Sequence, residues 1–335
     1  MTIAPSTRHD SPSVAIIGGG IAGLICARTL TEQRFTVKVF DKGREPGGRV
    51  STRQIAGYQF DDGAQYFTVR DPRFRREVAA WLADGLVAEW TGRVGVLENG
   101  TVSAGEQKTR YVGIPTMSAL MRHLASACNV LSDIRVAHVH REGRRWRLPA
   151  TTGEDLGDYD IVVVAVPAPQ AVALLAEAPG LAARVASVKI AGCWAVMLAF
   201  EQPLDLPFDG ALVQASALSW IARNNSKPGR GTAECWVLHG APAWSDEHSD
   251  AAPEQVITWL SDAFRRVTSC HGVKPILAAA HHWRYALPTV LLEEACLFDP
   301  ALAIGACGDW CAGPRVEGAF LSGLTLADQI LLKEI

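Results

Sequence analysis

Gly18, Gly20 and Gly23 stand in the order Gly-x-Gly-x-x-Gly, after the β-branched run Val14 to Ile17 and before the amphipathic stretch Ile21 to Gln33. Between a strand and a helix, that spacing suits the binding of a diphosphate. The first glycine permits a tight turn, the second lets a phosphate approach without a Cβ in the way, and the third lets helix and strand pack closely. The helix start adds free N–H donors and the positive end of its dipole. A ligand-free β-α turn can carry the same glycines. Here they are answered by Asp41, at the end of the next strand, Thr36 to Phe40. A carboxylate there accepts hydrogen bonds from two ribose hydroxyls, so the constellation reads as dinucleotide binding.

Two further motifs choose the dinucleotide. Arg49 follows Gly47-Gly48 just beyond the acidic strand end, where a guanidinium neutralises a pyrophosphate. Near the other end stands Cys307-Gly308-Asp309-Trp310, followed by GPRVEGAFLSG. A strand ending in Gly308-Asp309 before a helix start places a carboxylate by a polyol and free N–H groups by a ring carbonyl. FAD offers both features and NAD neither, so FAD is the expected cofactor. The competing role for Asp309 is a helix N-cap. No GxSxG or HExxH motif and no clear metal cluster is present. Asp61 and Asp62 are sequence neighbours and form no facing pair on a strand.

The elements around these residues follow from periodicity. Helices are expected over Pro72 to Asp84, Thr116 to Cys128, Ala252 to Val267 and Val316 to Leu332. Val87 to Ser103 alternates and turns at Asn99-Gly100. Arg135 to Val139 and Arg145 to Leu148 read as strands around Glu142-Gly143, and the apolar Asp160 to Val166 as a central strand ended by Pro167 and Pro169. Strand-like runs Trp194 to Phe200, Leu218 to Ala222 and Cys235 to His239 form a block of their own, and Ala301 to Cys307 reads as a strand returning to the first half. The chain is thus expected to be α/β with an α+β insert. Residues 12–68, 112–182 and 286–335 form a discontinuous FAD-binding domain; 69–111 and 183–285 form a mixed-sheet substrate domain.

Composition narrows the class. A chain of 335 residues fits roughly two domains of ~100–200 residues each. Its 48% apolar residues supply a core, and a net charge of −3 gives no reason to expect nucleic acid or an anionic membrane as partner. No run approaches the ~18 apolar residues of a spanning helix. The polar start, MTIAPSTRHDSPS, lacks a signal-peptide pattern, and its first dozen residues are expected to fray. The eight scattered cysteines include no CxxC pair, so reduced buried thiols in a cytoplasmic protein are expected and a zinc site is not. Cys307 and Cys311 flank the CGDW motif and hold open a redox pair.

GGGIAGL, Asp41, GGR, DDGAQYF, the DIVVVAVPAP strand and CGDW…RVEGAFLSG together resemble the bacterial branch of the renalase family, within the amine-oxidase-like flavoproteins. The similarity runs from Val14 to the final helix. It implies a Rossmann-like FAD half, a substrate half like that of p-hydroxybenzoate hydroxylase, and non-covalent FAD. The implied activity is oxidation of 2- and 6-dihydroNAD(P), with dioxygen as the second substrate and NAD(P)+ and hydrogen peroxide as products. By motif, Ile21, Ala22, Asp41, Lys42, Arg49, Gly63, Ala64, Val136, Asp309 and Val316 would contact FAD beside Gly18, Gly20, Gly23 and Gly308. Gln65, Tyr66, Phe67 and Thr68 would face the substrate, with Trp310 near the ring.

The inserted block supplies Trp194, Trp220, Trp236, Trp244, Trp283, Tyr285, His239, His281 and His282, an aromatic set suited to a flat ring. Taken singly, an inward Trp on a strand is core more often than not. His281 and His282 face opposite sides of a strand, and the family's HxW pattern favours His281 for the pocket. Asn224, in Arg223-Asn224-Asn225, suits a carboxamide or phosphate and suits a surface turn equally. An amine oxidase or desaturase, and a flavin-binding protein without turnover, remain rival readings.

Overall fold

A computed structural model describes residues 11–98 and 100–333. The arm expected to fray falls on residues 1–10 and the expected turn includes Asn99; both lie outside the described residues. Ser13–Ile17 is flanked by Ile161–Val164 and Thr36–Phe40, all parallel. Ile304–Ala306, Val130–Leu131 and an antiparallel edge strand, Leu297–Asp299, complete six strands. Such a sheet is buried on both faces, which is why its central strand Ile161–Val164 is apolar throughout. Val14, Ile16, Ile161 and Val163 meet helices Ile21–Glu32 and Val316–Lys333. Ala15, Ile17, Val162 and Val164 meet a three-stranded meander through Trp146, Leu148 and Tyr159.

The second large sheet has seven strands. Leu277–Val290, Lys189–Phe200, Glu234–Gly240, Leu218–Arg223 and Gly210–Val213 run antiparallel to their neighbours. Val94–Glu98 then joins parallel to Gly210–Val213, which makes the sheet mixed. Helix Pro253–Thr268 covers one face, over Trp194, Val196, Leu198, Trp236 and Leu238. The other face, with Met197, Ala199, Cys235 and Val237, packs around Phe60. The architecture is a Rossmann-like α/β half joined to a sheet half, and among the described residues no helix is long and apolar enough to cross a membrane.

Several elements differ from expectation. The hairpin near residue 140 uses His140–Glu142 rather than Arg135 to Val139, because Gly143, at φ +64°, turns the chain directly between the paired Glu142 and Arg145. Val136 keeps only an isolated bridge to Ala150. The alternating run from Val87 splits: Val87–Glu89 pairs with Tyr111–Gly113, while Val94–Glu98 and Thr101–Ala104 form the hairpin. Pro167 and Pro169 end the central strand but also begin helix Ala168–Leu174, since a helix's first turn has no use for their missing N–H.

Candidate active site

The glycine loop has the shape its sequence predicts. Gly18 lies at φ +114°, and a Cβ there would come within 2.5 Å of the Ala165 oxygen. A Cβ on Gly23 would lie 2.0 Å from the Gly18 oxygen, so helix and strand touch through it. Gly20 differs: beyond its own chain neighbours, no atom lies within 4 Å of where its Cβ would be. Gly20 caps helix Ile21–Glu32 without a side-chain cap bond, and the first turn holds no acidic residue. Its leading amides, from Ile21 and Ala22 onward, therefore keep the open cradle that a diphosphate requires. Asp41 stands beneath the loop, accepting from the Gly19 N–H at 2.5 Å and the Gly43 N–H at 2.6 Å. Next to it Lys42 donates to Gln170 at 3.3 Å, its ammonium pKa lowered by burial and then by Arg135. Val136 is buried nearby against the meander, and Val316 begins the last helix.

Arg49 and Asp309, from opposite ends of the chain, meet here. Nη1 and Nη2 of Arg49 bond the two oxygens of Asp309 at 2.8 and 2.7 Å, and Nη1 also reaches the Ala286 oxygen at 3.0 Å. The cap of the short helix Asp309–Ala312 is Gly308, with no side-chain cap bond, so Asp309 does not serve as a helix cap. Glu317 in the following helix is 1% exposed and accepts from the N–H groups of Arg70 and Asp71 at 2.6 and 2.7 Å.

The Asp61-Asp62-Gly63 turn is the most heavily bonded stretch. Its two carboxylates diverge. Asp61 accepts from Lys227 Nζ at 3.1 Å, Arg230 Nη2 at 2.6 Å and Thr52 Oγ1 at 2.7 Å; Asp62 accepts from Ser51 at 2.6 Å and Arg53 at 2.9 Å. Burial alone would raise the Asp61 pKa, but Lys227 and Arg230 overcome it and hold the carboxyl low. With two cations on one carboxylate, burial brings Lys227 down to about 8, against the pull of Asp61. Backbone and side chains then fix Gly63 and Ala64: the Ala64 N–H donates to the Arg49 oxygen at 2.9 Å. Gln65 donates to the Asp61 oxygen and accepts from Lys227 at 3.1 Å.

The sheet half reaches the same turn. Nε1 of Trp283 and Nε2 of His239 lie 2.9 and 3.2 Å from the Asp62 carbonyl oxygen. His281 packs edge-on to Trp283 at 4.6 Å, while His282 stacks on Trp194 at 4.6 Å on the opposite face. Tyr66 lies partly buried between Trp90 and Trp220, with ring centroids at 6.1 and 5.5 Å. Thr68 lines a cavity of about 340 Å³ with Arg70, Arg75, Lys108 and Tyr111.

Four candidate substrate residues, Phe67, Trp194, Asn224 and Trp310, spend their side chains on the core or on backbone bonds. Trp194 is on the helix-covered face, its Nε1 on the His248 oxygen at 2.9 Å, because it alternates with Ala195, the register partner of His239. Trp236 and Trp244 of the aromatic set turn the same way, toward Phe264 and Trp259. Phe67 is 3% exposed in a core of Phe74, Trp81 and Tyr111. Trp310 is fully buried with its Nε1 on the Val166 oxygen at 3.1 Å. Asn224 spends its amide on the turn, bonding the Gln59 oxygen at 3.0 Å and the Asp61 N–H at 3.2 Å. Cys307 and Cys311 are unpaired buried thiols with pKa values pushed up by burial, which leaves no reactive thiolate for a redox pair. Lys227, Arg230 and Arg53 were missed; Ser226-Lys227-Pro228-Gly229 carries only the signature of an exposed turn.

The chain has known relatives. A model of flavin containing amine oxidoreductases matches residues 100–331, and one of NAD(P)-binding Rossmann-like domains matches 16–81. Polyamine oxidase 2 of Arabidopsis thaliana is 45% identical over 56 residues, 17% of this chain and 11% of that protein. This chain thus spans about a tenth of that relative's length. A protein of Exiguobacterium sp. assigned as protoporphyrinogen oxidase superposes with a TM-score of 0.78 at 14% identity, covering 96% of this chain and 99% of that one. Wild-type putrescine oxidase bound to putrescine gives 0.71 at 14% identity, with the same coverage. At such identity the likeness is one of fold. The family match spans most of the chain and falls on a fold with an open diphosphate cradle, so this protein belongs to the flavin-containing amine oxidoreductases, with FAD as its cofactor.

Proposed function

We propose that the chain oxidises 2- and 6-dihydroNAD(P) as a renalase-like enzyme, returning NAD(P)+ and passing electrons to dioxygen as hydrogen peroxide. The observation that carries this reading is the aromatic lining of the Asp61–Tyr66 turn, which offers no unpaired carboxylate. Asp61 and Asp62 are both matched by cations, so neither offers a free carboxylate to a cationic amine. His239, its pKa brought down to about 4 by burial, stays neutral. A dihydropyridine surrenders hydride readily because its ring regains aromaticity. The protein then needs to orient a flat ring and exclude water more than it needs a base. Tyr66, Trp220 and Trp283 supply flat faces, and the bonds to Gln65 and the Asp62 carbonyl hold the turn rigid.

FAD supplies the hydride acceptor. In this reading the amides after Gly20 and the Arg49 guanidinium hold its diphosphate, Asp41 its ribose, and Gly63, Ala64, Gly308 and Asp309 the remainder. Residues 12–68, 112–182 and 286–335 form the FAD-binding part, and 69–111 with 183–285 the substrate part; strand Leu277–Val290 crosses between them. Eight free cysteines fit a reducing compartment such as the cytoplasm.

Amine oxidation or desaturation is the second reading, favoured by the likeness to polyamine oxidase 2 and putrescine oxidase. Anaerobic mixing of the holoenzyme with 2- and 6-dihydroNAD, ordinary NADH and a panel of amines separates them. Rapid bleaching of the flavin by the isomers alone is expected. Bleaching by amines but not the isomers sinks the proposal, and bleaching by none of them supports a flavin-binding protein without turnover.

A further inference from the structure

Arg110 is a buried cation with no ion-pair partner among the described residues, and the Glu106 carboxylate acts on it only from a distance. The residue is 9% exposed, and its Nη1 and Nη2 donate only to the backbone oxygens of Lys108 and Glu106, at 3.3 and 3.2 Å. Its Nε has no acceptor among the described residues. The nearby Glu106 carboxylate turns outward to Lys108 at 2.9 Å. Buried charges are normally paired, so an unmatched guanidinium calls for an anion.

A second donor against the same ring makes the same demand. Arg110 stacks over Tyr66 at 5.4 Å, and Trp220 packs on Tyr66 at 5.5 Å. Trp220 is 6% exposed, and its Nε1 also finds no acceptor. Several other indoles are satisfied: Trp90 donates to Ser226, Trp146 to Leu302, Trp194 to His248 and Trp283 to Asp62. A buried N–H without a partner is costly, and two of them beside one partly exposed aromatic ring are complementary to a ligand oxygen. Lys227, which lies over the Trp90 ring at 5.9 Å, shares the single carboxylate of Asp61 with Arg230, so that pair of cations leaves the local balance positive.

We infer that Arg110 and Trp220 form a subsite for an anionic oxygen, a carboxylate or phosphate, on a substrate whose flat ring lies against Tyr66. This deepens the reading above, on which it rests for placing the substrate beside Tyr66, and it sets that substrate apart from polyamines, which Arg110 would repel. Binding is read without turnover, by titrating oxidised holoenzyme and following the flavin absorbance. The probes are benzoate, inorganic phosphate, neutral benzamide and spermine. Benzoate or phosphate is expected to perturb the spectrum, and whichever binds identifies the oxygen's source. Trp220→Phe, which deletes the N–H and keeps the ring, and Arg110→Gln are each expected to weaken that anion about tenfold or more, with a smaller effect on benzamide. FAD content and thermal midpoint monitor folding, and Trp220→Phe decides the matter should Arg110→Gln fail to fold. No response to either anion, equal affinity in wild type and Trp220→Phe, or preferential binding of spermine overturns the subsite. A weakened anion response alongside no bleaching by dihydronicotinamides would retain the subsite and sink the substrate reading instead.

Discussion

A ring nitrogen facing a carbonyl oxygen must carry its proton, because the carbonyl only accepts, so the Nε2 of His239 donates to Asp62 at 3.2 Å. Burial, only partly offset by that bond, brings the ring's pKa to about 4. The unfolded chain's histidine titrates near ~6.5. Between those values the unfolded state takes up a proton that the folded state refuses. The stabilisation from neutral His239 is therefore complete above pH ~6.5 and is lost as pH falls toward 4, by about 2–3 kcal/mol. Denaturant titrations at pH 7 and pH 4.5 should show that loss. His239→Gln, which keeps a donor for Asp62 and does not titrate, should lessen it; an unchanged pH dependence would remove His239 as its source. A second single-residue effect concerns Asp309, whose two oxygens face Arg49. Asp309→Ala should lower FAD retention on gel filtration, while full retention would leave Asp309 only as the structural partner of Arg49.

The first helix sits where it does because Gly23 has no side chain. An added Cβ would lie 2.0 Å from the backbone oxygen of Gly18, which cannot yield without moving the turn. Gly23→Ala should push helix Ile21–Glu32 off its strand, at a cost of about 1–3 kcal/mol, and release FAD well before global unfolding. Loss of stability with undiminished FAD affinity would show that the cradle tolerates the shift. This element was legible because everything defining it is local: a β-branched strand, three glycines, and Asp41 one strand later. The apolar Ile161–Val164 strand was legible for the same reason. Strand facing was not. Both faces of the seven-stranded sheet are covered, so alternation at Trp194 and Ala195 does not say which side meets the FAD half; that depends on the cross-strand partner His239, 44 positions past Ala195 in the numbering. The burial of Lys227 was equally hidden, since its partner Asp61 lies 166 residues away.

That long-range contact joins the two halves of the molecule. Asp61 precedes Gly63 and Gln65 in the FAD half, while Lys227 and Arg230 follow strand Leu218–Arg223 of the sheet half, and Asn224 adds two bonds to the same turn. The side chains of Asp61 and Lys227 are fully buried and that of Arg230 is 1% exposed, so what matters is which charge is left without a partner. Lys227→Met leaves Asp61 still bonded to Arg230 at 2.6 Å, and should cost only about 1–2 kcal/mol, near the net worth of a charged hydrogen bond. Asp61→Asn strands two buried cations, and should cost about 3–5 kcal/mol. Adding Lys227→Met to Asp61→Asn removes one of those stranded charges. The double variant should therefore be more stable than Asp61→Asn alone, a coupling that independent sites do not show. Denaturant unfolding, followed in parallel by flavin absorbance and tryptophan fluorescence, measures all three. Wild type should lose both signals together, whereas Asp61→Asn should release flavin first as the halves separate. Additive costs, or coincident transitions in Asp61→Asn, would place the join in the surrounding apolar contacts rather than in this charge cluster.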